Sequence, residues 1–173
     1  EDWWCLSQYA FALCENGVQD KASAIIDRSL ELNPLNANGA HVRSHIYYEV
    51  GETELGISYL SEWLKSYDRA AYLHGHLSWH AALWSLEQGN VETMWQRIDA
   101  DVKPGVAQGM PINVLTDTAS ILYRAELAGV DVPVERWLEI SKYAEQFFPQ
   151  AALGFIDIHT ALAHAMAGNN KAV

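Results

Sequence analysis

Residues 9–34 read YAFALCENGVQDKASAIIDRSLELNP. Two stretches that suit helices flank Asn16 and Gly17, and Pro34 closes the second. In the second stretch the apolar stripe is Ala22, Ile25, Ile26, Ser29 and Leu30, the i, i+3, i+4, i+7, i+8 spacing of a helix with one buried face. Gly17 suits the left-handed residue that ends the first helix. The unit recurs: Gly17, Gly51, Gly89, Gly129 and Gly168 fall 34, 38, 40 and 39 residues apart, each after a long apolar-rich stretch. A period in this range marks a helical repeat array. Shifted by 34 residues, the stripe becomes Gly56, Tyr59, Leu60, Trp63 and Leu64. Val134, Trp137, Leu138 and Ser141 repeat its start, and Val91, Met94, Trp95 and Ile98 do so more weakly.

Working outward, the pattern predicts helices over 2–15, 19–32, 38–50, 53–66, 71–88, 91–101, 112–128, 133–147 and 152–167. Pro133 suits a first helical turn, where a missing N–H costs nothing. Asp101 to Pro111, with two prolines and two glycines, reads as an irregular connector. A lone helix pair cannot bury its apolar face, so neighbouring pairs must stack. The expected fold class is all-α: a right-handed superhelical α-solenoid of about four to five antiparallel helix pairs. Residues 1–173 are expected to form one such repeat domain, a piece of a longer chain.

Composition narrows the partners. Half of the 173 residues are hydrophobic, which argues against disorder. The formal charge of −11 would repel a phosphate backbone, and the Lys and Arg residues are scattered singly. Nucleic acid and anionic membrane are therefore not expected partners, and no stretch has the length to span a bilayer. Cys5 and Cys14, nine residues apart on one helix, lie too far apart for a mutual disulfide. Two unpaired thiols suit a reducing compartment, and a cytoplasmic location is expected.

Ala10, Gly17, Ala22, Ile26 and Pro34 match the small, glycine, alanine, bulky and proline positions of the tetratricopeptide repeat, which the first unit resembles. The second unit keeps Ser44, Tyr47, Gly51, Gly56 and Leu60 but has Asp68 in place of the proline. Later units drift, with Met94 and Val134 where a small residue is usual. Four strings, HVRSH (41–45), SWHAALWSLEQG (78–89), YRAELAG (123–129) and FIDIHTALA (155–163), resemble the tetratricopeptide repeat protein 38 family. The resemblance implies a superhelical fold and a binding role, and no reaction. It also implies that His41, His45 and His76 face a concave groove, with His80 turned more inward.

Histidine placement is the sharpest chemical feature. Five of the seven histidines fall between His41 and His80. His41 and His45 are four residues apart on one helix face, and His76 and His80 repeat that spacing. Asp117, Asp157 and His159 lie on later leading helices and could add ligands. Three readings stay open. A metal site would use His41, His45, His76 and His80, although the glutamate of the zinc-protease HExxH signature is missing, since Val42 and Leu77 follow the first histidines. A metal-free acid–base site would use His45 or His80, with an aspartate such as Asp117 orienting His80. The third reading is packing alone, because His, Trp and Tyr join apolar bodies to hydrogen-bonding tips.

The expected function is a non-enzymatic binding module, with a metal-dependent or acid–base enzyme as the alternative. Its groove would hold a peptide, a protein segment or a small ligand. The groove residues are His41, His45, Tyr48, His76, Trp79, His80 and Tyr123, with Ser7, Phe11 and Asn38 beside them. No cofactor is expected. The acidic surface favours a basic or neutral partner.

Overall fold

The computed structural model describes residues 1–173. It is all-helical: α1 (Trp3–Glu15), α2 (Gln19–Leu32), α3 (Ala37–Glu49), α4 (Thr53–Trp63), α5 (His74–Glu87), α6 (Val91–Arg97), α7 (Pro111–Leu127), α8 (Val134–Phe147) and α9 (Gly154–Met166). A 3-10 turn, Leu64–Ser66, extends α4, and a π turn, Ile98–Val102, extends α6. No helix is long and apolar enough to cross a membrane.

One backbone device closes α1, α3, α5, α7 and α9. Gly17, Gly51, Gly89, Gly129 and Gly168 have φ of 76°, 75°, 72°, 80° and 73°. Each glycine N–H donates to the carbonyl three residues back, and the next residue's N–H donates to the carbonyl five back, as in Val18 to Leu13 and Glu52 to Tyr47, both 2.9 Å. These paired bonds form the Schellman motif, which satisfies carbonyls that a helix end leaves orphaned. The left-handed torsion is why glycine recurs there.

The packing separates two compact units, Glu1–Asp68 and Arg69–Val173. In the first, α1 packs against α2 and α3, and α3 against α4. Its core joins Ala10, Cys14, Ala22, Ile26, Val42 and Ile46. Small residues at positions 10, 14 and 22 let α1 and α2 approach closely. Two buried polar side chains there are linked: the Ser29 hydroxyl donates to the Trp3 carbonyl at 2.7 Å, and the Asn36 amide donates to Ser29 at 3.0 Å. Arg43, buried on α3, reaches back to Asp27 and Ser23 on α2.

In the second unit α7 is central, packed against α5, α8 and α9. One side of it, Leu115, Ala119 and Leu122, joins Trp137, Ile140, Ala144 and Ala163. The other, Ile121 and Ala125, joins Ala82, Met94 and Ile98. A helix buried on two sides reads as a broad apolar band, as α7 does. Arg136 lies over the Trp95 ring, 4.1 Å from its centroid, and makes two bonds to Asp99.

Of the expected bounds only 19–32 is unchanged, and three of the shifts have a clear local cause. Helix α5 begins at His74 rather than 71, because Ala71 to His74 forms a turn, with the His74 N–H 3.0 Å from the Ala71 carbonyl. The expected helix 91–101 keeps α geometry only to Arg97. It then widens, and the Lys103 N–H reaches the Ile98 carbonyl five residues back at 3.1 Å. Pro133 caps α8 from outside, and it is Pro111 that occupies a first-turn position, in α7.

Candidate functional site

Helices α5, α7 and α9 of the second unit enclose a cleft of about 580 Å³. Tyr72, Trp79, Met110 and Phe155 supply apolar wall, while His76, Thr116, Asp117, Arg124 and His159 supply polar groups. Spacing explains the convergence. His76 and Trp79 are three apart on α5, so both reach the same face, and their rings stack with centroids 5.3 Å apart and planes 16° apart. On α7, Asp117, Ser120 and Arg124 fall on one stripe at the same helical period. On α9, Phe155 and His159 are one turn apart, with ring centroids separated by 4.8 Å.

The polar centre is a carboxylate–imidazole couple. Both Asp117 oxygens lie at hydrogen-bond distance from His76 Nδ1, at 3.1 and 3.0 Å. Asp117 is buried. Burial pushes its carboxyl above the usual aspartate range, opposed by the hydrogen bond and charge of His76 and then by the charge of His159. His159 has its own orienting bond, Nδ1–H donating to the Phe155 carbonyl at 2.7 Å. A carbonyl only accepts, so the neutral ring of His159 keeps Nε2 as an acceptor. Trp79 Nε1–H is buried without a hydrogen-bond partner. Asp117 is the sole carboxylate lining the cleft and Arg124 its permanent cation, in a chain of formal charge −11. The lining is therefore formally balanced, in contrast to the acidic chain at large.

A larger groove, about 1090 Å³, runs beside α8. It is an open depression, and its Arg136 is already committed to Asp99 and Trp95. The smaller cleft holds the unusual chemistry.

The structure sorts the sequence candidates into local groups. His76, Trp79 and His80 come together, the His80 ring lying 4.9 Å from both neighbours by centroid. Asp117 takes His76 as its imidazole, one helical turn before the His80 that the acid–base reading pairs with an aspartate. In the first unit, His41 and His45 meet through their Nε2 atoms at 3.0 Å. Phe11 packs on both rings, and Glu15 stands 3.7 Å from His45 Nδ1. Tyr48 is exposed in the last turn of α3. Tyr123 is exposed on α7 and does not line the cleft; its neighbour Arg124 does. Asp157 turns to its own helix start, accepting from the Ala152 N–H at 3.0 Å. His164 is buried against Ser141, at 2.8 Å.

Sequence reasoning misses Tyr72, Met110, Arg124 and Phe155. Phe155 and Arg124 carry a usable signal, each sitting on the helical stripe of a residue already singled out, His159 or Asp117. Tyr72 and Met110 lie just outside helices and carry none. No protein-family model matches this chain, and no solved structure matches it.

Proposed function

We propose that this chain is a tetratricopeptide-like, right-handed α-solenoid that acts as a non-enzymatic binding module, with the α5–α7–α9 cleft as its ligand site. The five glycine-closed helices support the repeat reading. So does the packing within each unit, where a leading helix touches its own partner and the next leading helix: α1 touches α2 and α3, and α7 touches α8 and α9. The strings that resemble the tetratricopeptide repeat protein 38 family fit the same reading, and two free thiols favour a cytoplasmic location.

One observation carries the functional part: a buried, hydrogen-bonded carboxylate–imidazole couple lining an aromatic-walled concavity. Ligand sites are typically apolar hollows with a few convergent polar groups that set orientation. The volume suits a small molecule or a short stretch of peptide. Trp79 and Phe155 would cover its apolar body, and Arg124 and His159 would hold its hydrogen-bonding head.

Intrinsic tryptophan fluorescence, titrated with a panel of short peptides and small organic ligands, tests this. Binding is expected in the wild type and should weaken by about tenfold or more in Trp79→Leu and Arg124→Gln. Hits that bind the wild type and both variants equally would place the ligand elsewhere and end the proposal.

A second reading keeps the same cleft as an acid–base site, favoured by the Asp117–His76 bond, which orients an imidazole as a proton carrier requires. It needs turnover of a bound ligand that is lost in His76→Gln with binding retained. Equal turnover in wild type and variant removes it.

A further inference from the structure

The geometry points to a second site, in the first unit: a two-histidine chelate on α3 that holds a divalent cation of square or octahedral preference, with Cu(II) as its best occupant. It stands apart from the cleft reading and rests on different residues.

His41 and His45 are one turn apart on α3 and present Nε2 to Nε2 at 3.0 Å, with their rings near perpendicular at 82°. Two imidazole nitrogens that close share one proton, or share a metal ion in its place. Their separation selects the metal. With metal–nitrogen bonds of roughly 2.05 Å, a 3.0 Å separation subtends about 94° at the ion. A tetrahedral ion needs about 3.3 Å between the same two atoms. The observed pair is therefore set for adjacent positions of a square or octahedron, the arrangement of Cu(II) and Ni(II) with nitrogen ligands. Among these, Cu(II) heads the affinity order.

The surroundings are those of a held ligand pair. Phe11 of α1 packs on both rings, with centroids 6.0 Å from His41 and 5.4 Å from His45, which limits their rotamers. The Glu15 carboxylate faces the other nitrogen of His45, Nδ1, at 3.7 Å. A carboxylate behind the non-ligating nitrogen raises the basicity of a metal-bound imidazole and fixes its tautomer. Both histidines are half-buried.

Electron paramagnetic resonance of the protein with one equivalent of Cu(II) tests the site. The expected spectrum is tetragonal, with nitrogen splitting from two imidazoles. His41→Gln and His45→Gln should each weaken Cu(II) binding at least tenfold, and Cu(II) should raise the thermal midpoint of the wild type only. Should a variant misfold by circular dichroism, imidazole NMR of the wild type decides alone: substoichiometric Cu(II) must broaden His41 and His45 before the other five histidines. A one-imidazole spectrum, first broadening elsewhere, or unchanged binding in both folded variants overturns the inference.

Discussion

Asp117 sits buried on α7 with its carboxyl raised in proton affinity, first by desolvation, and pulled back by His76 and then His159. The carboxyl resonance of Asp117, followed by carbon-13 NMR, is expected to titrate above 3.8, and further above in His76→Gln, where one lowering influence is gone. A downward move in that variant would contradict the role given to His76. Linkage gives the stability sign. A carboxyl whose folded value lies above its unfolded value favours the fold at low pH, and that contribution is lost as pH rises from 3.8 through the folded value. Asp117→Asn should therefore flatten this part of the stability profile, as measured by urea unfolding at a series of pH values. His76→Leu strands the carboxylate without its partner and is expected to cost about 3 kcal/mol at neutral pH. A loss under about 1 kcal/mol in urea would mean that water takes over the bond. Both residues stand out in the sequence, but their pairing does not. They are 41 positions apart, and a helical stripe names a face without naming what crosses from the next helix. Arg43 shows the same limit, since nothing in its local pattern distinguishes a buried arginine answering Asp27 from an exposed one.

At the scale of the element, the five closing turns are the most legible feature, because torsion is written directly in residue type. A Cβ added to Gly51 or Gly129 meets no atom within 4 Å, yet both hold φ near the left-handed value, at 75° and 80°. The cost of alanine there is thus torsional and not steric. Gly51→Ala and Gly129→Ala should each lose about 1–2 kcal/mol by chemical denaturation. Asparagine, which tolerates that torsion, should lose visibly less. Equal losses for alanine and asparagine would point to the missing side-chain space instead. Helix starts are less legible. The start of α5 lies three residues beyond the expected one because the Ala71–His74 turn carries apolar residues at helix-like spacing. The widening of α6 at Ile98 leaves no trace in the sequence, since a π turn uses the same residues as an α turn and differs only in which carbonyl each N–H finds.

For the whole molecule, the strongest influence without a local address is charge. Eleven basic against 22 acidic residues leave the chain self-repelling at neutral pH. Raising monovalent salt from about 10 mM to about 150 mM shortens the reach of that repulsion to about 8 Å. The thermal midpoint is expected to rise over that range in a differential scanning experiment. A fall would show that ion pairs such as Arg136–Asp99 outweigh the repulsion. The same imbalance makes the cleft distinctive, because its single carboxylate is buried and its Arg124 is not neutralised by another acid in the lining. The turns have a further use at this scale. Where an added atom at Gly51 or Gly129 touches nothing, the chain can be opened and spliced with little disturbance to its neighbours. A flexible insert there costs only about 0.6 kcal/mol per doubling of its length. The hairpin tips are thus ready-made ports for a reporter, a tether or a transplanted epitope, mounted on a scaffold whose helices need not register the graft.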